Sequence, residues 1–278
     1  VLNESTFLER IIVHLIRRYE KLRRLLRWRL ASGMPLWWHV GRPNFGDDIN
    51  PSLFRRLAGC RTRFAANRRR PHVLGAGSIL GKATASSIVC GSGFLEPPGR
   101  DRIAPAAVVA VRGELSRSGL GGRSDVALGD PLVLVGELLA PQTKRHRFGL
   151  VPHVTSVDRW RSRCDPDLLV IAPGLRPWRV IRGIASCETI ISQSLHGLIV
   201  ADALGIPNVW IAPSDAMVGG RFKFDDYFST IDRPKECVPE CGEVFQRPGV
   251  LAAGVGTYRH AKEELREALV NGCRRLID

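Results

Sequence analysis

Apolar residues in this chain fall into short unbroken runs, each ended by a glycine or polar turn and followed by a stretch of helical period. His72–Leu74, Ser87–Cys90, Ala106–Val111, Leu168–Ala172, Thr189–Ile191 and Val209–Ile211 are such runs. Runs of this kind, several of them β-branched, suit strands covered on both faces, as in a parallel sheet flanked by helices. The alternation predicts an α/β protein. Its clearest unit is Cys187–Ile211, CETIISQSLHGLIVADALGIPNVWI. Ser192-Gln193-Ser194 supplies turn and cap chemistry, and Leu198, Ile199, Ala201 and Leu204 recur at helical spacing. Gly205 stops the helix and Pro207 prevents its resumption. His196 falls on the first turn, beyond the carboxyl end of a strand. Open α/β sheets bind ligands there, facing free amides and the positive end of a helix dipole. The same position also suits a histidine that serves only the helix start.

The remaining pattern divides the chain. PLWWHV, Pro35–Val40, is a strand running into GRPNFGDDINPSLFRRLAG, where Asn44, Gly46 and Asp47 make a turn. Asn50 is expected to cap the next helix, with Pro51 at its first position and Gly59 at its end. Gly75-x-Gly77 and Gly91-x-Gly93 follow strands and allow a backbone to approach a ligand closely. Gly75-x-Gly77 with Gly81 only approximates a dinucleotide fingerprint and lacks its acidic partner, which excludes a nicotinamide or flavin site. Arg112 ends the Ala106–Val111 strand, and Asp130-Pro131 opens a helix. Pro141–Arg147 is polar and basic and reads as a linker. Pro97–Pro105 and Pro234–Pro248 read as irregular, Gly219-Gly220 as a hinge, and Lys223 and Asp225 lead an aromatic-rich helix. Tyr258–Ile277 reads as a charged helix packing back across the preceding domains.

Charge changes the picture at one end. The 278 residues carry a net charge of +14, which favours anionic partners. Residues 1–31 hold eight Arg or Lys against three Glu, so +5 of the total lies there. Leu8, Ile11, Ile12, Leu15, Tyr19, Leu22 and Leu26 keep to one broad face of a helix over 5–30. A basic amphipathic helix with Trp28 near its end suits an anionic membrane surface, or packs its apolar face on the protein or a second subunit. Elsewhere the charge forms no nucleic-acid stripe. No run of apolar residues is long enough to span a bilayer, and no secretory signal is evident. Seven scattered cysteines show no framework spacing, which suits reduced thiols in a cytoplasm, and Cys237-x3-Cys241 alone does not make a zinc site.

Several segments carry a family resemblance. S-x-S-L-H-G-L-I-V-A-D-A-L-G-I-P resembles the signature of the polysaccharide pyruvyl transferases, in the branch that completes exopolysaccharide repeats. N-F-G-D-D-I-N-P, the two glycine turns, V-R-G-E-L-S with its downstream G-D-P, and F-K-F-D-D-Y are similar to other family segments. Together they cover roughly residues 35–232. The resemblance implies two Rossmann-like domains facing a cleft, similar to the glycosyltransferase-B fold. The expected division is a basic helix at 1–31, domains at 32–145 and 146–256, and a closing helix at 257–278.

The implied reaction moves the pyruvyl skeleton of phosphoenolpyruvate onto two hydroxyls of a sugar, closing a cyclic ketal and releasing phosphate. It requires neither metal nor cofactor. His196 is the expected acid, and Asp47 or Asp48 the base. Arg112, Ser194, Leu195, Lys223 and Arg221 are expected to hold the donor; Asn44, Asp48 and Gly77 the acceptor. Some family members carry Arg where this chain has Ser194, so Lys223 or Arg221 must replace that charge. The expected setting is cytoplasmic, with peripheral attachment through residues 1–31 at the inner membrane face. Two other readings stay open: a glycosyltransferase using a nucleotide sugar, and a non-catalytic membrane- or nucleic-acid-binding module.

Overall fold

A computed structural model describes residues 18–19, 21–26, 28–99, 103–161, 168–211, 219–232, 235–238 and 253–277. Residues 5–17 of the helix expected over 5–30, Cys241 and most of the irregular stretch at 234–248 lie outside these residues.

Two sheets form, and every strand pairing within them is parallel. The first holds β1 (Met34–Trp37), β2 (Thr62–Phe64), β3 (His72–Leu74), β4 (Ser87–Ser92), β5 (Ala107–Val111) and β6 (Ala127–Leu128), in the order β2-β1-β3-β4-β5-β6. The second holds β7 (His146–Val151), β8 (Leu168–Val170), β9 (Cys187–Ser192), β10 (Asn208–Ile211) and β11 (Cys237–Val238), in the order β11-β10-β9-β7-β8. β4 is buried at all six positions and β10 at all four, as their continuous apolar character requires. The fold is α/β.

The helix Leu195–Ala203 lies between the two sheets. Its residues Leu195–Asp202 are all buried, the condition of a helix apolar around its whole circumference. It packs against Pro131–Leu134 and the helix Val135–Leu138 of the first half. A Cβ on Gly136 would stand 2.4 Å from the Ala203 carbonyl, so only glycine allows this approach. One apolar core runs through both halves, joining Leu36, Phe45 and Leu132–Val135 to Ile190, Leu198–Ala201 and Trp210.

The last helix, Lys262–Arg274, returns to the first sheet, where a Cβ on Gly272 would meet Cys90 Sγ at 2.8 Å. It begins four residues later than its charge pattern suggests. Tyr258 is instead in a bridge with Ile231, with its hydroxyl donating to the Leu128 carbonyl. Near the amino end, Phe45–Asp48 is a short helix rather than an open turn, capped by Asn44 accepting from Gly46 N. Asn50 does not cap its helix. It is the first helical residue, fully buried, and its amide bonds the carbonyls of Asp47 and Ala76 and the amide of Ala76. Its side chain therefore ties the Asn44–Asp48 turn to the glycine turn after β3.

Candidate active site

The site lies where the carboxyl ends of both sheets meet the start of the Leu195–Ala203 helix. β9 ends in Ser192, whose hydroxyl donates to the Ser194 carbonyl and accepts from Ser194 N. Gln193 Oε1 accepts from His153 N and Trp160 Nε1, both at 3.1 Å. Ser194 caps the helix by accepting from Gly197 N. The amides of Leu195 and His196 lie ahead of the helical ladder and point from its positive end.

His196 is pressed against the opposite half of the molecule. A Cβ on Gly46 would stand 1.9 Å from His196 Nδ1, and Phe45 meets the imidazole edge-on at 6.1 Å. Phe45 N donates to the Pro173 carbonyl at 2.8 Å, fixing the turn to the second half. Asp47, next in the chain to Gly46, closes against Gly77: a Cβ on that glycine, at φ +120°, would stand 3.2 Å from Asp47 Oδ1. The fold therefore brings the turn that carries Gly46 and Asp47 against Gly77 on one side and His196 on the other.

The protonation states differ from the expected ones. Burial, with the Arg112 and Lys223 charges adding to it, pushes His196 down to about 3, which favours a neutral imidazole. An acid near neutrality was expected at this position. That property belongs to Asp47, which burial and the neighbouring Asp48 raise to about 7 against the opposing pull of Lys223. Lys223 is itself lowered to about 8, by burial first and then by Arg112.

Asp48 is turned away from this group. Its Oδ2 accepts from Arg24 Nη1 at 2.8 Å and from Asn44 N at 3.3 Å. Burial raises its pKa while Arg24 opposes the rise. Arg112 is fully buried, with three of its nitrogens engaged: Nε on Asp226 at 2.9 Å, Nη1 on Ser78 Oγ at 2.6 Å and Nη2 on the Phe94 carbonyl at 2.5 Å. Asp226 also accepts from Ser116 N and Oγ. Arg112 thus links β5 to the Phe222–Phe228 helix while contributing to the field at His196. Gly93 makes room for it, since a Cβ there would lie 2.3 Å from the guanidinium carbon. Arg221 is placed apart from the others: it pairs with Asp225 at 3.0 Å and covers the Trp210 ring at 5.0 Å.

Several members of the site escaped sequence reasoning. Gly46 reads as a turn glycine until the histidine is found beneath it. Asp226, the carboxylate that holds Arg112, is one of two adjacent aspartates, and helical period alone does not tell which faces inward. His153, lowered by burial and by Lys223 and Arg42, follows β7 by two residues. Among the described residues, no group of three His, Cys, Asp or Glu side chains is placed to hold a metal.

The comparison with known proteins agrees with the motifs. The family model for polysaccharide pyruvyl transferases matches residues 44–215, from the Asn44 turn through the histidine helix to β10. The succinoglycan biosynthesis protein ExoV of Rhizobium meliloti is 32% identical over 209 residues, covering 71% of this chain and 64% of that protein. The chain therefore spans just under two thirds of that relative. The uncharacterized protein L143 of Acanthamoeba polyphaga mimivirus is 26% identical over 208 residues, covering 67% of this chain and 70% of its own. A crystal structure of the uncharacterized Klebsiella pneumoniae protein KP1_0663 aligns with a TM-score of 0.45 at 12% identity, over 81% of this chain and 98% of that one. With the family match extending over well more than half of its length, this chain belongs to the polysaccharide pyruvyl transferase family.

Proposed function

We propose that this protein transfers pyruvate from phosphoenolpyruvate to two hydroxyls of a sugar in a polysaccharide or glycolipid, as a cyclic ketal. The observation that carries the reading is the group His196, Asp47, Lys223 and Arg112. Two cations and a helix start lend positive charge to the surroundings of two groups able to exchange a proton. Such a setting suits a donor bearing both a phosphate and a carboxylate. Family membership supports the pyruvyl group. The relation to a succinoglycan biosynthesis protein supports an exopolysaccharide acceptor.

The proton roles follow from the charges. A general acid must hold its proton before it can give it. Asp47 does so near neutrality and donates to the methylene carbon of the donor, leaving C2 electron-poor. Neutral His196 accepts the proton of the first sugar hydroxyl as its oxygen bonds to C2. The second hydroxyl then bonds to C2 while the C2–O bond to phosphate breaks. Of the two hydroxyl protons, one replaces that given by Asp47 and the other leaves with phosphate. Lys223, Arg112 and the Leu195 and His196 amides stabilise the negative charge gathering on phosphate. Asn44 and Gly77 border the acceptor, and Asp48 holds the turn that carries Asp47. We read the sheets as two Rossmann-like halves facing one cleft, in the manner of the glycosyltransferase-B arrangement, divided near residue 145.

Incubation with phosphoenolpyruvate and a panel of free and lipid-linked hexosides tests the reading. Stoichiometric phosphate release and a product heavier by one pyruvate ketal are expected. Turnover of a nucleotide sugar, with phosphoenolpyruvate inert, would overturn it in favour of glycosyl transfer.

A further inference from the structure

The helical positions 18–19, 21–26 and 28–29 divide two faces between different tasks. Leu25 and Trp28 pack on the main core, with Trp28 meeting Trp38 edge-on at 5.0 Å. Arg24, on the same inner side, pairs with Asp48 at 2.8 Å and donates to the Gly41 carbonyl at 2.5 Å. The helix is therefore anchored to the body beside the Asn44–Asp48 turn. Its other face is bare: Tyr19, Leu22, Leu26 and the adjoining Leu30 are 66%, 56%, 48% and 86% exposed. At about 100° per residue these four fall within roughly 80° of arc. They are four of the seven large apolar side chains exposed among the described residues. Arg23 borders the stripe on one side, Arg18 and Arg29 on the other, and all three are exposed.

We propose that this stripe is the surface by which the protein docks on an anionic lipid bilayer. A narrow apolar stripe with cations along both rims is the arrangement that inserts side chains below anionic headgroups while pairing the rims with them. A second copy of the chain fits less well. Pairing two such helices would set arginine rims against each other, and four side chains supply far less area than the roughly 1,200–2,000 Å² of a stable interface. The stripe lies about one helix diameter, roughly 10 Å, from the Arg24–Asp48 pair that anchors the helix to the body.

Co-sedimentation of the full chain with phosphatidylglycerol–phosphatidylcholine vesicles, and with phosphatidylcholine alone, tests the proposal without reference to activity. The protein should bind the anionic vesicles, bind the neutral ones weakly, and release at high salt. Leu22→Ser with Leu26→Ser should weaken binding by at least about tenfold while leaving the melting temperature unchanged. Arg18→Gln with Arg23→Gln should weaken it and flatten the salt dependence. Absence of binding to anionic vesicles would overturn the proposal. So would full binding by the leucine variant, or a dimer in sedimentation velocity that the leucine variant abolishes. Should the leucine variant melt early, Leu30→Ser, which lies beyond the helix, serves as the second apolar probe and must weaken binding.

Discussion

The chemistry of the pocket is set by single residues whose environments pull their protonation apart. Burial favours the uncharged form of both Asp47 and His196, which raises the carboxyl to about 7 and lowers the imidazole to about 3. If Asp47 is the acid, kcat/KM falls as pH rises through about 7, the value to which Asp47 is raised. Asp47→Asn should lose activity by about 10²–10⁴-fold at every pH. A retained alkaline limb in that variant would assign the limb to another group, Lys223 first. Stability gives an independent check. The folded pKa of Asp47 exceeds the unfolded one, so its ionisation costs stability as pH climbs from about 4 through 7. Asp47→Asn should therefore melt higher than the parent at pH 8, and the difference should vanish below about pH 4. Gly46 has the simplest steric role. Gly46→Ala places a methyl group 1.9 Å from His196 Nδ1, so the imidazole or the turn must move. A rate loss comparable to that of His196→Ala, about 10²–10⁴-fold, is expected. Near-normal turnover would mean that the turn yields freely and does not locate the histidine.

At the scale of elements, the site is assembled by cross-connections that a sequence reading reaches unevenly. The Cys187–Ile211 unit was legible throughout, since cap, apolar period, Gly205 and Pro207 all act within a few residues. The Ser194 cap and the φ of +65° at Gly205 are local consequences of local chemistry. Asn50 misled because a cap residue and a buried tie use the same amide, and only Ala76, 26 residues away, distinguishes them. Arg112 shows the same difficulty. Its position after a strand predicts a guanidinium left to hold an anion, but Asp226, 114 residues on, takes its Nε. Removing one partner of a buried pair commonly costs about 3–5 kcal/mol, so Arg112→Ala should be markedly destabilised. Arg112→Lys keeps charge but cannot make three directed bonds to Asp226, Ser78 and Phe94. It should both melt lower and raise the donor KM. A higher KM with an unchanged melt would free Arg112 from its structural role, and the reverse would remove it from donor binding.

The whole molecule is two sheets sharing one core, a relation that strand and helix patterns do not contain. Sequence order separates the halves at a polar basic stretch, as it would separate two independently stable units. Yet Leu132–Val135 of the first half and Leu198–Ala201 of the second belong to a single apolar cluster. Further ties cross between halves: Phe45 N to Pro173, Trp178 Nε1 to Ser52 Oγ at 3.0 Å, Glu114 N to Ser229 Oγ at 2.9 Å, and the Arg112–Asp226 pair. Separating the halves would expose that core to water. Independent domains melt separately, whereas a common core imposes one transition. Calorimetry should accordingly give a single transition with calorimetric and van't Hoff enthalpies equal. Leu198→Ala, deep in the shared helix, should cost about 2–5 kcal/mol and lower that one transition as a unit. Two resolved transitions, with only the second shifted by Leu198→Ala, would show instead that the halves fold apart and that the cleft can open between them.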